Sequence, residues 1–342
     1  MYLDYSGTFR GTCDQHHATS SFRSTTLLPS CNGRTNLVLT EPIRAPEIHC
    51  THGRTRSAPG GSWMAKPDEI QKIRKIAYDL RADVVKMIGV GKAGHLGGSC
   101  SLAEIVAALY FAKMNFDPKA IDDPCRDRFL LSKGHSVLIQ YAALVELGVI
   151  PREEVGKVKT LDGKLQGHPD MMTPGMEAVT GSLGQGLSIG TGMALALRLA
   201  KRSSRVYVVM GDGELAEGQL WEAAMAAARY KVDNLTAILD RNRIQATGPT
   251  KEIFDIPNIE AKWQAFGWNV INVDGHDVAA ILEALDQAAA IKGSPTIIVA
   301  ETVKGKGVSF AENTAAFHNG IMTQEQYDKA LVEIEESRRM LQ

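Results

Sequence analysis

Apolar residues between Pro67 and Val90 recur at spacings of three and four (Ile70, Ile73, Ile76, Ala77, Leu80, Val84, Met87, Ile88), which predicts an amphipathic helix. A glycine-broken loop, V-G-K-A-G-H-L-G-G-S, follows, and Ser99 or Ser101 is placed to cap a second helix over L-A-E-I-V-A-A-L-Y-F-A. R-D-R-F-L-L-S is a short apolar run of strand type, and 136–147 is helical, stopped by Gly148 and Pro151. Past a Gly-, Pro- and Met-rich loop (160–180), G-S-L-G-Q-G opens as a turn and becomes a helix of small residues. Strands and helices then alternate: strand 205–210, helix 217–230, strand 235–241, strand 268–273, helix 278–290 and strand 296–303. Apolar strands separated by helices predict an α/β fold, a three-layer, doubly wound and mainly parallel sheet.

The first 63 residues break with this pattern. They hold six Arg and no Lys, nine Thr, seven Ser and three of the five cysteines, without apolar periodicity. Such a segment buries too little to fold alone, so 1–63 is expected to be a disordered or spurious extension. The folded domain is then 64–342. The two cysteines within it, Cys100 and Cys125, suggest neither a metal pair nor a disulfide framework, and a reducing cytoplasm fits them. Basic and acidic residues nearly cancel (38 against 39), which points to neither nucleic acid nor an anionic membrane. No apolar run is long enough for a transmembrane helix.

The candidate chemistry lies at two strand ends. M-G-D-G-E ends one strand and places Asp212 between glycines; thirty residues on, L-D-R-N places Asn242 past the end of the next. Ligands of open α/β sheets bind outside the carboxyl ends of the strands, and a right-handed crossover brings these two ends together. A carboxylate and an amide oxygen facing one crevice suit Mg²⁺, which completes its shell with phosphate oxygens and water. Gly211 and Gly213 leave room for a diphosphate. Taken alone, G-D-G is equally a tight turn and Asn242 equally a strand-end cap. Four of the five histidines after Met64 (His95, His135, His168, His318) sit in loops, next to glycine or one residue from it, where imidazoles can move protons or donate to sugar and phosphate oxygens. The fifth, His276, is expected at the turn entering a helix.

These stretches together resemble the amino-terminal, thiamine diphosphate-binding third of transketolases. A-G-H-L-G-G, S-K-G-H, G-H-P, G-S-L-G-Q-G, G-D-G with its later N, and K-G-K-G before F-H-N-G stand in the family's order. The resemblance implies that Asp212, Asn242 and the carbonyl of Ile244 hold the metal. It implies that His135, Gly213, Asn242 and His318 meet the cofactor's diphosphate side, and that Gly181, Ser182 and Leu183 meet its aminopyrimidine. It implies that His95, His168 and His318 act on the sugar. Glu217 matches a family acid near a subunit interface, and Lys304 an active-site lysine that a solvated lysine would mimic. Ser182 replaces a common proline, and Asn319 interrupts the usual H-G.

Full-length members continue with a pyrimidine-binding domain, and the glutamate that activates the cofactor comes from such a domain of another subunit. The expectation is therefore the amino-terminal subunit of a split transketolase, cytoplasmic, working as a heterotetramer with a separate carboxy-terminal chain. The pair would use thiamine diphosphate and Mg²⁺ to move a two-carbon ketol unit from a ketose phosphate to an aldose phosphate. The rival readings are a deoxyxylulose-phosphate synthase-like or specialised-sugar enzyme, and a non-catalytic cofactor-binding domain. A nicotinamide-dependent oxidoreductase would need G-x-G-x-x-G opening a strand–helix unit, which is absent from the sequence.

Overall fold

A computed structural model describes residues 66–341, so the expectations for 1–63 lie outside the described residues. Helix α1 (Pro67–Ile88) starts with proline at its first position, where a missing N–H costs nothing, and ends at Gly89. After it come β1 (Ala93–Gly94), α2 (Leu96–Cys100), α3 (Ala103–Ala108), β2 (Arg128–Leu131), α4 (Leu138–Glu146), α5 (Gln185–Leu199), β3 (Val206–Gly211) and α6 (Gly218–Arg229). The chain continues through β4 (Leu235–Arg241), α7 (Thr250–Ile253), α8 (Ile259–Ala265), β5 (Asn269–Asp274), α9 (Val278–Ala290), β6 (Thr296–Glu301), β7 (Gly320–Ile321) and α10 (Gln324–Arg339).

Five strands form one parallel sheet in the order β2-β3-β4-β6-β5. Successive side chains serve opposite faces. Tyr207, Val209, Ile238, Ile298 and Ala300 join the core under α1, α3, α4 and α9, while Val206, Val208, Met210, Leu235 and Val299 join the core under α5, α6 and α8. The three layers and the parallel sheet are those the alternating pattern implies.

Three local expectations need correction. The second helix is not one element capped by a serine. Ser99 Oγ donates to the His95 carbonyl (2.8 Å), Ser101 Oγ turns inward to Asp240 (2.7 Å), and the run divides into α2, α3 and a π-helical turn (Leu109–Lys113). This segment is buried almost throughout, so its apolar positions carry little periodic information. The last large-sheet strand stops at Glu301 rather than 303, because Val303 N–H turns away to bond the His276 ring. Cys125 is disulfide-bonded, contrary to the expectation, while Cys100 is free and buried.

Helix α5 lies very close to the sheet. A Cβ added at Gly190 would stand 2.4 Å from Val208 Cγ2, and one at Gly186 would stand 2.8 Å from the Ser132 Cα. Replacing Gly190 by Val should therefore destabilise the domain by about 1–3 kcal/mol, the usual range for overpacking. A urea-unfolding midpoint unchanged from the parent chain would show that α5 has room to retreat.

Candidate functional site

Strands β3 and β4 are hydrogen-bonded neighbours with Gly211 opposite Asp240, so Asp212 and Asn242 leave adjacent strand ends. Asp212 is nearly buried, and its carboxylate accepts the N–H of Gly213 (2.8 Å) and the N–H of Arg243, the residue after Asn242. Asn242 Oδ1 in turn accepts the N–H of Ile244 (3.1 Å). The two side chains thus meet at one turn, 242–244. Burial, and then the nearby charge of Asp240, raise the Asp212 pKa to about 6.

Lys304 is 2% exposed, and so is not a solvated lysine. Its stem runs along Gly97, where an added Cβ would stand 2.9 Å from its Cγ. Its ammonium donates to the Ile244 carbonyl (2.7 Å) and lies 3.0 Å from His318 Nδ1. Burial, and then the charge of Lys133, lower its pKa to about 8.

The four loop histidines gather over these groups. Ring centroids are 4.9 Å apart for His95–His135, 5.0 Å for His135–His318, 5.4 Å for His95–His318 and 6.2 Å for His95–His168. Residues more than two hundred positions apart are joined here by a short antiparallel ladder: Ala93 and Gly94 of β1 pair with Ile321 and Gly320 of β7. Burial comes first in lowering the pKa of His95 to about 3, of His135 to about 2 and of His318 to about 4. Neighbouring lysines add to each shift, and His168 moves in the same direction. At neutral pH the cluster is four neutral imidazoles beside buried ammonium groups.

The G-S-L-G-Q-G loop closes the site from the other side. Gly181 passes so near His168 that a Cβ would stand 2.6 Å from its ring, while Ser182 is exposed and Leu183 half-buried. Gly184 precedes α5 at φ +82°, and a Cβ there would stand 2.6 Å from Glu217 Cβ. That contact places the exposed Glu217 beside the loop. Gly213 faces Gln245, whose Cβ lies 3.0 Å from where its own Cβ would be. His276 sits where expected, just before α9. Its Nε2 accepts the Val303 N–H (2.8 Å), so Nδ1 carries the proton toward Glu104 (3.0 Å) and the ring braces the loop that carries Lys304.

A family described as "Transketolase, thiamine diphosphate binding domain" matches residues 72–333. The chain belongs to the transketolase family. It is 41% identical over 256 residues to one of the apulose-4-phosphate transketolase subunits, from Phocaeicola vulgatus, covering 75% of this chain and 91% of that one. It is 43% identical over 268 residues to a 6-deoxy-6-sulfo-D-fructose transketolase subunit of Clostridium sp., covering 78% and 96%. Human transketolase-like protein 2 is 40% identical over 277 residues, but the match spans only 44% of that longer chain. Among solved structures, Campylobacter jejuni transketolase superposes with a TM-score of 0.72 at 28% identity, over 81% of this chain and 46% of that one.

Three buried residues that the family's short motifs did not single out hold this transketolase-type site together. Glu214 accepts from Ser132 Oγ, from Gly184 N–H (2.8 Å) and from Gly211 N–H (3.1 Å), tying the β2 end, the glycine loop and the β3 end to one carboxylate. Asp240 and Lys133 form an ion pair with side chains 0% and 3% exposed. Their signal in the sequence is an ionisable group inside or directly after an apolar run, a placement that folding tolerates only when a partner is supplied.

The depressed histidines set a pH dependence. Unfolded histidine takes up its proton near 6.5, whereas folded His95, His135 and His318 resist it until about 3, 2 and 4. The unfolded state therefore binds more protons as pH falls below 6.5, and stability drops. Asp212, raised to about 6, works the other way, but it is one group against three. Urea midpoints should be lower at about pH 5 than at about pH 7, and replacing His95 and His135 with Gln should shrink that difference. An equal difference in the variant would show that these rings are not the cause.

Proposed function

We propose that this chain is the diphosphate-binding subunit of a two-chain transketolase, which with a separate partner chain transfers a two-carbon ketol unit between sugar phosphates. The observation that carries the reading is the turn at 242–244, whose N–H groups are held by the Asp212 carboxylate and the Asn242 amide oxygen under a ring of neutral imidazoles. Among the described residues no group of three His, Cys, Asp or Glu side chains is arranged to hold a metal ion. One carboxylate with two neutral oxygens is instead the donor set of a Mg²⁺ that takes its remaining ligands from phosphate and water. These residues fit the cofactor. Asp212, with its raised pKa, is short of positive charge, and the buried Lys304, with its lowered one, is short of negative charge. A metal with a diphosphate relieves both deficits.

Thiamine diphosphate, when bound, supplies the nucleophilic carbon that opens the ketose. The chain's own residues do the rest. Asp212, Asn242 and Ile244 would hold the metal, and His135, Gly213, Asn242 and His318 would hold the diphosphate. The backbone of Gly181, Ser182 and Leu183 would bind the aminopyrimidine. His95, His168 and His318, neutral at working pH, donate to and accept from the sugar's carbonyl and hydroxyl oxygens.

The two-chain form is supported by relatives named as subunits, of which this chain spans 91%, 96% and 97%. Leu161, Met171, Met172 and Val179, exposed around the 160–180 loop, are the kind of surface a partner covers. Those relatives are named for apulose 4-phosphate (two) and 6-deoxy-6-sulfo-D-fructose (one), so a specialised anionic sugar is as much within this reading as the common pentose and hexose phosphates. Among the described residues no helix is long and apolar enough to cross a membrane. A cytoplasmic location belongs to this proposal, and cell fractionation tests it.

Replacing Asp212 with Ala should abolish Mg²⁺-dependent binding of thiamine diphosphate while leaving a soluble fold; calorimetric titration that finds undiminished binding would refute the metal assignment. Deleting residues 1–63 should leave the co-expressed pair as active as the full chain in a ketol-transfer assay with xylulose and ribose phosphates. A large loss would show that the head takes part.

A further inference from the structure

Asp240 occupies the end of β4, two residues before Asn242, and is 0% exposed. Its Oδ2 accepts from Lys133 Nζ, from Ser101 Oγ (2.7 Å) and from Asn242 Nδ2 (3.0 Å), while its Oδ1 accepts from Thr302 Oγ1. An ionised carboxylate can only accept, so the atom of Asn242 that faces it must be the NH₂. The other end of the same amide meets the N–H of Ile244 and must therefore be the oxygen (3.1 Å). Two independent neighbours thus assign the same orientation to an amide whose two ends otherwise look alike.

We infer that Asp240, charge-balanced by Lys133, is the positioning residue of the cation site: it turns the Asn242 oxygen toward Asp212 and Ile244, and it is the reason that residue 242 is an amide. This rests on the metal reading proposed above. For a hard cation alone, a carboxylate at 242 is the stronger ligand. With Asp240 behind it, the same substitution sets two buried carboxylates against each other at the present 3.0 Å contact, where like charges disfavour ionising both. Lys133 carries one positive charge, already paired with Asp240, and so cannot balance two carboxylates; its ammonium also donates to the Gly98 carbonyl (2.9 Å).

The test is a pair of variants of the full-length chain, purified with its partner chain. Mg²⁺ is titrated by calorimetry in the presence of thiamine diphosphate, and circular dichroism checks the fold. Asn242→Asp should weaken Mg²⁺ binding roughly 10–100-fold, the usual effect of disturbing a metal site's supporting residue. Exchanging the two residues (Asp240→Asn with Asn242→Asp) restores a donor facing an acceptor and should recover most of that loss, which a general structural role of Asp240 does not explain. A folded Asn242→Asp chain that binds Mg²⁺ as tightly as the parent overturns the inference, and so does a folded exchange variant no better than the single one. If the single variant does not fold, the exchange variant decides by regaining both fold and binding or by failing to. A parent chain without Mg²⁺-dependent cofactor binding would instead defeat the metal reading itself.

Discussion

The parallel pairing of β3 with β4 is the constraint from which the site follows. Because Gly211 stands opposite Asp240, the chain leaves both strands at the same height, and whatever residues come next must share one crevice. Carboxyl ends of parallel strands are also where backbone and side-chain groups run out of partners in the sheet. Asp212, Asp240 and Glu214, with Lys133 and Lys304, crowd into that space, all at least nine-tenths buried. Charges this deep persist only when paired or hydrogen-bonded, and nearly every polar contact in this region serves that need.

The pairing is incomplete in an informative way. Asp240 is satisfied from both oxygens, and Glu214 is held by a hydroxyl and two backbone N–H groups. Asp212 has only two backbone donors, and its raised pKa records what is lacking. Lys304 rests on a carbonyl and an imidazole, with no carboxylate of the described residues in contact, and its lowered pKa records the opposite lack. One undercompensated acid and one undercompensated base are the two deficits that the proposed binding of a metal diphosphate would relieve.

The histidines add a second property. Burial keeps them uncharged, so they neither repel a cation nor neutralise an anion, and each ring retains one donor and one acceptor. That suits the proton exchange with sugar oxygens proposed for them. Their closeness depends on distant braces: the β1–β7 ladder for His95 and His318, and the chain from Arg81 through Glu104 and His276 to Val303 for the loop bearing Lys304.

Much of this was legible in the residues themselves. Apolar periodicity located α1, β3, β4 and α9 to within a residue or two, because each has one face or a whole run that must be buried. G-D-G, the later Asn and the glycine-flanked histidines marked the strand ends and loops, since those residue types are costly anywhere else. What the sequence left open were contacts between remote segments. The serines expected as helix caps turn inward to other partners, Lys304 is buried rather than solvated, and Asp240, an unremarkable acid in L-D-R-N, is the carboxylate that orients its neighbour. Sequence alone determined which short stretches carry strands, helices and chemistry, because local periodicity and residue type express local burial. Only the tertiary structure decided which charges compensate one another, because that depends on distances across the sheet that no spacing along the chain encodes.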